Sequence, residues 1–309
     1  MTLAELRYIV AVARERHFGK AAASCFVSQP TLSVAVKKLE NELGVTLFER
    51  GKSDIVLTAV GRQIVDQAQR TLEAAERIHQ LAATDENANV EPLRIGVIFT
   101  IGPYLLPSLI PELRDLAPDL RVLIEEGFTA DLRVRLKQGS LDAIILAKPF
   151  NEPGVEIRPL YKEPFVVVLP RSHPWADRKS ISPDELSEET VLLLGKGHCF
   201  RDQVLEVCPS CLRIGRPDDL QKTLEGGSIE TIRHMVASGV GVTVLPCSAA
   251  GAEEYSRRLL SIKRFSNKNP SREVIIAWRK GFPRKQAIDI LSKAVIRCKM
   301  TCVKMLYKV

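Results

Sequence analysis

The chain lacks any long apolar run. Its longest charge-free stretch near the length of a membrane span, Met235 to Ala252, is interrupted by Gly239, Gly241, Pro246 and Gly251 and carries several hydroxyls, so it is no span. The first ten residues set Glu5 and Arg7 among apolar neighbours, unlike a secretory signal. These absences point to a soluble cytosolic protein with no membrane partner. Cysteine is sparse, and its count of seven is odd. Without an export signal, that argues against a structural disulfide framework, and any thiol that matters should act through reactivity. Beyond His198, treated below, His17, His79, His173 and His234 are too scattered to build a metal or catalytic site. No Walker loop, dinucleotide fingerprint or nucleophile elbow is present. The expectation is therefore no metal, no diffusible cofactor and no enzyme.

What is there is globular. Of 309 residues, 45% are hydrophobic and 26% charged, which excludes intrinsic disorder and suggests about two domains. Net charge is +7, which permits a polyanionic partner without proving one. Residues 1–86 balance 11 bases against 11 acids, while residues 257–309 hold 15 bases and 2 acids. The basic excess thus lies at the C-terminus, where it reads as a solvated face.

Three zones follow from patterning. Residues 1–58 read as short helices and a small hairpin. Residues 59–86 read as one long helix, with Ile64, Ala68, Leu72, Ala75, Ile78 and Leu81 at three- and four-residue steps. A polar segment ending at Pro92 reads as a hinge. Beyond Leu93, strand patterns (93–99, 120–125, 142–147, 164–169, 191–194, 241–245, 273–278) alternate with helix patterns (103–116, 129–138, 228–238, 285–298), as in a parallel α/β sheet.

Within the first zone, Ala21 and Ala22 permit close helix packing, Ser28 is a good N-cap, and Pro30 is tolerated in a first turn. Leu32, Val36 and Leu39 form one buried stripe, leaving Gln29, Thr31, Ser33 and Lys37 on other faces, where they could reach base edges or phosphates. Spacing alone leaves an ordinary helical hairpin equally open. The next two short strands would form a wing, with Arg50 and Lys52 for phosphate contacts.

Residues 1–86 resemble the winged helix-turn-helix and linker helix of LysR-type transcriptional regulators, with Ser28-Gln-Pro-Thr-Leu-Ser33 the specific part, and the remainder resembles their effector domain. The resemblance implies a multi-domain α and α/β protein: a DNA-binding domain over 1–58, a linker and dimerisation helix with hinge over 59–90, and a periplasmic-binding-protein-like regulatory domain over 91–309. That domain would divide into subdomain I (91–162 plus 267–309) and subdomain II (163–266). It further implies a bacterial cytoplasmic homo-oligomer, a dimer of dimers, that binds double-stranded promoter DNA and works with RNA polymerase.

A second motif is Gly195-Lys-Gly-His-Cys-Phe-Arg-Asp-Gln-Val-Leu-Glu-Val-Cys208. It follows an apolar strand and delivers His198 and Cys199 to the start of a helix pattern. A thiol at a helix N-terminus faces the positive end of the dipole, which favours thiolate. Lys196, Arg201 and a protonated His198 would push the same way, and Asp202 would oppose them. Thiolate attacks peroxide oxygen to give a sulfenic acid that a second thiol can condense with. An inert, partly buried thiol is the competing account.

Here the sequence resembles the peroxide-sensing members of the LysR family: Gly197-His-Cys199, Arg201-Asp-Gln203 and Cys208 match their motif. The resemblance implies hydrogen peroxide as signal, Cys199 as peroxidatic cysteine, Cys208 as its resolving partner, and Thr100, Thr129, His198 and Arg279 around the peroxide. It implies an activator switched by a Cys199–Cys208 disulfide. Alternatively, both threonines are helix caps. Cys208-Pro-Ser-Cys211 is a CxxC without the strand-to-helix setting of a redox pair or the further ligands of a zinc site, so Cys211 reads as incidental. Cys298 and Cys302 could share a helix face, Cys25 should pack inside the helix-turn-helix, and Cys247 carries no assignment. Two rival functions stay open: a LysR-type regulator of a small metabolite with passive cysteines, and a thiol peroxidase or oxidoreductase.

Overall fold

Helix α1 (Leu3–Glu15) starts at a capping box, in which the Glu5 N–H donates to Thr2 Oγ1 and the Thr2 N–H donates to the Glu5 carboxylate at 2.8 Å. Helix α2 (Phe18–Ser24) lies against it through Ala21 and Ala22, both buried. Helix α3 (Gln29–Leu43) is capped by Ser28, whose Oγ accepts from the Thr31 N–H, and its Leu32, Val36 and Leu39 enter the core. After α3 the Glu40 carboxylate accepts from the N–H groups of Leu47 and Phe48 at 2.8 and 3.3 Å. That carboxylate fastens the start of the wing, antiparallel strands β1 (Phe48–Arg50) and β2 (Ile55–Leu57), to the helix before it. The structure is a computed structural model, describing residues 1–50, 55–82, 91–211, 223–251, 258–266, 269–300 and 302–306. The wing turn, with Lys52, and the hinge before Pro92 lie outside the described residues.

Helix α4 (Ala59–Ala82) occupies the helix expected over 59–86 as far as Ala82, positions 83–86 lying outside the described residues, and Val65 and Ala68 bury against the DNA-binding core. Gly61 permits the approach of this helix to the wing, because a Cβ there would stand 2.2 Å from the Leu47 carbonyl oxygen. None of the helices among the described residues is long and apolar enough to cross a membrane.

Beyond the hinge come β3 (Leu93–Ile98), α5 (Gly102–Leu116), β4 (Val122–Gly127), α6 (Thr129–Lys137), β5 (Ala143–Ala147) and β6 (Val155–Pro170). They are followed by β7 (Ser180–Ile181), β8 (Val191–Leu194), α7 (Cys199–Val207), β9 (Thr223–Gly226), α8 (Ile229–Ala237) and β10 (Val242–Pro246). The chain closes with α9 (Cys247–Ala250), β11 (Leu260–Phe265), β12 (Ser271–Arg279), α10 (Lys285–Arg297) and β13 (Lys304–Met305). The sheet order β4-β3-β5-β12-β6-β10-β8-β9 is mixed, not parallel throughout as the alternation suggests. Parallel ladders join β4, β3 and β5 at one end and β10, β8 and β9 at the other. Strands β6 and β12 are antiparallel to their neighbours; β6 carries the chain from one end to the other, while β12 lies along its first half.

Two cores result. One collects β3, β5, α5, α6 and α10 around Ile95, Leu109, Ile145 and Leu291; the other collects β8, β10, α7 and α8 around Val168, Leu192, Phe200 and Val244. Strand β6 serves both, giving Leu160 and Tyr161 to the first and Phe165 to Leu169 to the second.

Gly61→Ala is expected to destabilise the chain by about 1–3 kcal/mol, the usual cost of overpacking. Gly251→Ala, where a Cβ meets nothing within 4 Å among the described residues, should be silent. Urea denaturation of both variants checks the pair.

Candidate functional site: a thiol at a helix start and a DNA-reading face

At the start of α3, Gln29, Pro30 and Thr31 are exposed, Ser33 is half-buried, and Ser28 caps the helix from an exposed position. Lys37 is exposed one turn further along, 3.6 Å from Glu40. The side chains expected to touch DNA are thus presented outward by the buried stripe behind them. The Arg50 side chain lies outside the described residues, and only its place at the end of β1 is defined.

The second site forms at the start of α7. Gly197 adopts φ +99, and a side chain there would press on the Phe128 ring at 3.3 Å, so glycine lets the chain lie against that ring. His198 then becomes the N-cap and Cys199 the first helical residue. The imidazole is buried and meets two rings edge-on, Phe128 at 4.9 Å and Phe99 at 6.0 Å between centroids. Phe99 and Phe128 directly precede Thr100 and Thr129, so this aromatic contact draws the ends of β3 and β4 to the start of α7. Burial pushes the His198 pKa below its ordinary 6.5, with a hydrogen bond to the Gly227 backbone opposing weakly. Burial thus disfavours the protonated His198 that would help hold Cys199 as thiolate. Arg201 also turns away, donating to the Leu194 carbonyl and pairing with Glu225, each at 2.8 Å. Gln203 ties α7 to the other core by donating to the Lys148 carbonyl at 2.8 Å.

Neither threonine caps a helix. Ile101 is the N-cap of α5 and Phe128 that of α6. Thr100 is buried and its hydroxyl accepts from an arginine, whereas Thr129 Oγ1 is buried with no hydrogen-bond partner among the described residues. An unpartnered buried hydroxyl in this position can receive or give a hydrogen bond to a small polar guest.

The arginine at Thr100 is Arg272, which corrects the placement of Arg279. Arg272 donates through NH1 to Thr100 Oγ1 at 2.8 Å, through NH2 to the Thr100 carbonyl at 2.7 Å, and through Nε to Glu163 at 2.7 Å. Its guanidinium also lies over the Phe200 ring, 5.4 Å from the centroid. Arg279 stands at the far end of β12, paired with Val155, seven residues from Arg272. There it donates to Glu73 of α4 and to the carbonyls of Leu136 and Leu141 at 2.6 Å, fastening the linker helix to the regulatory domain.

The thiols also depart from expectation. Cys208 is bonded to Cys211 and Cys247 to Cys302, so Cys211 is not incidental and Cys298 and Cys302 do not share a helix face; α10 ends before Cys298. Cys199 is a free, half-buried thiol. Cys25 is partly buried against the DNA-binding core, as expected. Among the described residues no cluster of His, Cys, Asp and Glu could hold a metal ion.

Residues 3–62 match the family of bacterial regulatory helix-turn-helix proteins of the lysR type, and residues 87–296 match the LysR substrate binding domain. The chain is 38% identical to the Escherichia coli K12 DNA-binding transcriptional dual regulator OxyR, covering 96% of this chain and 95% of that one. It is 35% identical to the hydrogen peroxide-inducible genes activator of Haemophilus influenzae, covering 96% of each. A full-length Pseudomonas aeruginosa OxyR with a Cys-to-Asp replacement superposes with a TM-score of 0.87 at 50% identity, over 100% of this chain and 99% of the other. A peroxide-bound Cys-to-Ser mutant of Corynebacterium glutamicum OxyR gives 0.62 at 32% identity, over 96% and 92%.

Two outcomes test the site. Because the folded state resists protonating His198, the unfolded chain binds more protons as pH falls below 6.5. Stability should fall with pH through that window. Urea denaturation at about pH 7.5 and about pH 5.5 should show a larger loss for the parent protein than for His198→Gln. Second, Arg272→Lys keeps the charge but loses the paired bonds to Thr100, and should slow Cys199 oxidation about tenfold, equivalent to ~1.4 kcal/mol. Arg279→Lys should leave that rate unchanged and lower the stability of the linker-helix contact. Stopped-flow rates with peroxide on folded variants check both.

Proposed function

The chain belongs to the LysR family of bacterial transcriptional regulators, and on that premise we propose that it senses hydrogen peroxide through Cys199 and regulates promoters it binds through α3 and the wing. The observation that carries this reading is the placement of Cys199: a free, half-buried thiol opening α7, beside the aromatic cluster that joins His198 to the threonine-bearing ends of β3 and β4.

Chemically, Cys199 sulfur attacks one peroxide oxygen and water leaves, giving a sulfenic acid. A second thiol condenses with it, releasing another water and forming a disulfide. Cys208 is the intended partner, available once its bond to Cys211 is reduced. Thr100 and Thr129 supply hydroxyls for the peroxide, with Arg272 positioning Thr100. Helix α7 sets the cost of the switch. The nine-residue step from Cys199 to Cys208 sets their Cα atoms roughly 13 Å apart along the axis, whereas a disulfide needs Cα atoms within about 7 Å. The helix must unwind, pulling Phe200 and Val204 from the second core and shifting how the two halves of the regulatory domain meet other subunits. A dimer of dimers assembled through α4 would convert that shift into a new spacing of its DNA-reading heads in contact with RNA polymerase, in the bacterial cytoplasm.

Footprinting a target promoter with reduced and peroxide-treated protein tests this reading. The footprint should change on oxidation and be frozen in the reduced pattern by Cys199→Ser. An unchanged footprint with Cys199 fully oxidised would overturn it. On the DNA side, Gln29→Ala should lower the ratio of specific to non-specific affinity, since one base contact is worth ~1–3 kcal/mol of discrimination. Arg50→Ala should weaken both alike and flatten the salt dependence.

A further inference from the structure

The sensing reaction leaves one bond near α7 unexplained. Cys208 and Cys211 are joined with Cα atoms 5.6 Å apart, both buried, while Cys199 is free and α7 is helical from Cys199 to Val207. The two sulfurs are brought together by the tight turn Pro209–Cys211, in which the Cys211 N–H donates to the Cys208 carbonyl at 3.1 Å. One sulfur forms one disulfide, so Cys208 bonds to Cys199 or to Cys211, never to both.

The two bonds make opposite demands on the backbone. A Cys199–Cys208 bond cannot form across an intact α7. The Cys208–Cys211 bond lies beyond the helix and coexists with it. Around that intact helix, Phe200 stacks edge-on with Phe165 at 5.0 Å, Arg272 lies over the same ring, and Val204 is 2% exposed. That packing is compatible with the Cys208–Cys211 bond and not with a Cys199–Cys208 bond across α7. Exchange from the second bond to the first would let the helix and its packing re-form.

Resting on the sensing reading above, we propose that Cys211 is a reset thiol: it ends the peroxide signal by taking Cys208 away from Cys199. The Cys211 thiolate attacks the Cys208 sulfur of the Cys199–Cys208 disulfide. The Cys208–Cys211 bond forms as the Cys199–Cys208 bond breaks, and the electron pair leaves on the Cys199 sulfur. Cys211 loses one proton and Cys199 regains one, so no oxidant or reductant is consumed. The product is oxidised but folded like the reduced sensor, and its Cys199 has no resolving partner. It stays refractory until a dithiol reductant restores both thiols of the CxxC.

The test follows the bonds in time. Fully reduced full-length protein receives one equivalent of hydrogen peroxide with no reductant, samples are acid-quenched and alkylated, and disulfide-linked peptides are mapped while the promoter footprint is read in parallel. In the parent protein the Cys199–Cys208 peptide should rise and then fall as Cys208–Cys211 rises, Cys199 becomes alkylatable again, and the footprint reverts. In Cys211→Ser, and in Cys211→Ala should the buried hydroxyl disturb folding, the Cys199–Cys208 bond and the oxidised footprint should persist. Equal persistence in parent and variants would remove the reset and leave peroxide sensing standing. Formation of Cys208–Cys211 at an undiminished rate in Cys199→Ser would also remove it, since the bond would then arise without relay. Absence of any Cys199–Cys208 bond in every variant would defeat the sensing reading and the reset with it.

Discussion

The regulatory domain depends on one buried ion pair. Arg272 and Glu163 face each other at 2.7 Å with neither side chain exposed to solvent, on paired strands β12 and β6 near the point where β6 passes from one core to the other. Two charges taken out of water are held only if their remaining donors and acceptors are met. They are: Arg272 spends its other nitrogens on Thr100, and Glu163 accepts from the backbone and hydroxyl of Ser248 at the start of α9. The pair thus locks β6, β12, the end of β3 and the start of α9 to one another. The thiol site is built on that knot, because the end of β3 is where Phe99 and Thr100 meet α7. Any perturbation of α7 is felt at the Phe200 ring beneath the guanidinium.

A helix that opens with a cysteine is a different device from a cysteine in a rigid pocket. In α7 the free Cys199 thiol, the core residues Phe200 and Val204, and the tie from Gln203 to Lys148 share nine residues. Chemistry at the first residue is coupled to packing along the whole element, with no need for a separate relay. The neutral imidazole of His198 suits this arrangement, since it packs between rings without demanding a counter-charge.

Much of this was legible in the chain itself, wherever the signal is local. Ser28 and Pro30 announce a helix start, the apolar steps from Ile64 onward announce α4, and Gly197 before His198 and Cys199 announces a turn into a helix. What stayed hidden is non-local. Arg272 meets a carboxylate 109 positions away and Arg279 one 206 positions away, and nothing within Ser271 to Arg279 says which arginine faces the threonine. Strand β6 was visible only in its apolar second half. Its first half, Val155 to Glu163, mixes charged residues and Pro159 with the buried Leu160 and Tyr161, so no apolar run or regular alternation marks it as a strand. The Cys247–Cys302 bond, between residues 55 apart, is beyond any local pattern. The Cys208–Cys211 bond was within reach, since a CxxC with an intervening proline is a compact turn, but its setting fits neither a redox pair nor a zinc site, so Cys211 reads as incidental while leaving open which thiol partners Cys199.

Strand β6 carries a mechanical consequence. It runs 16 residues without a break, roughly 50 Å, and both cores hang on it. Its register against β12 shifts between Val274 and Ile275, where Leu160 is the extra residue, and Pro159 and Pro164 stand on either side. The two cores are therefore joined by a strand that can bend and twist at its bulge, not by a flexible loop. A turn of one half against the other would keep its angle over distance while its linear displacement grew with the lever arm. The 24-residue α4 is fastened at Glu73 to the half that carries Arg279, and it has the length of such an arm, roughly 36 Å at about 1.5 Å per residue.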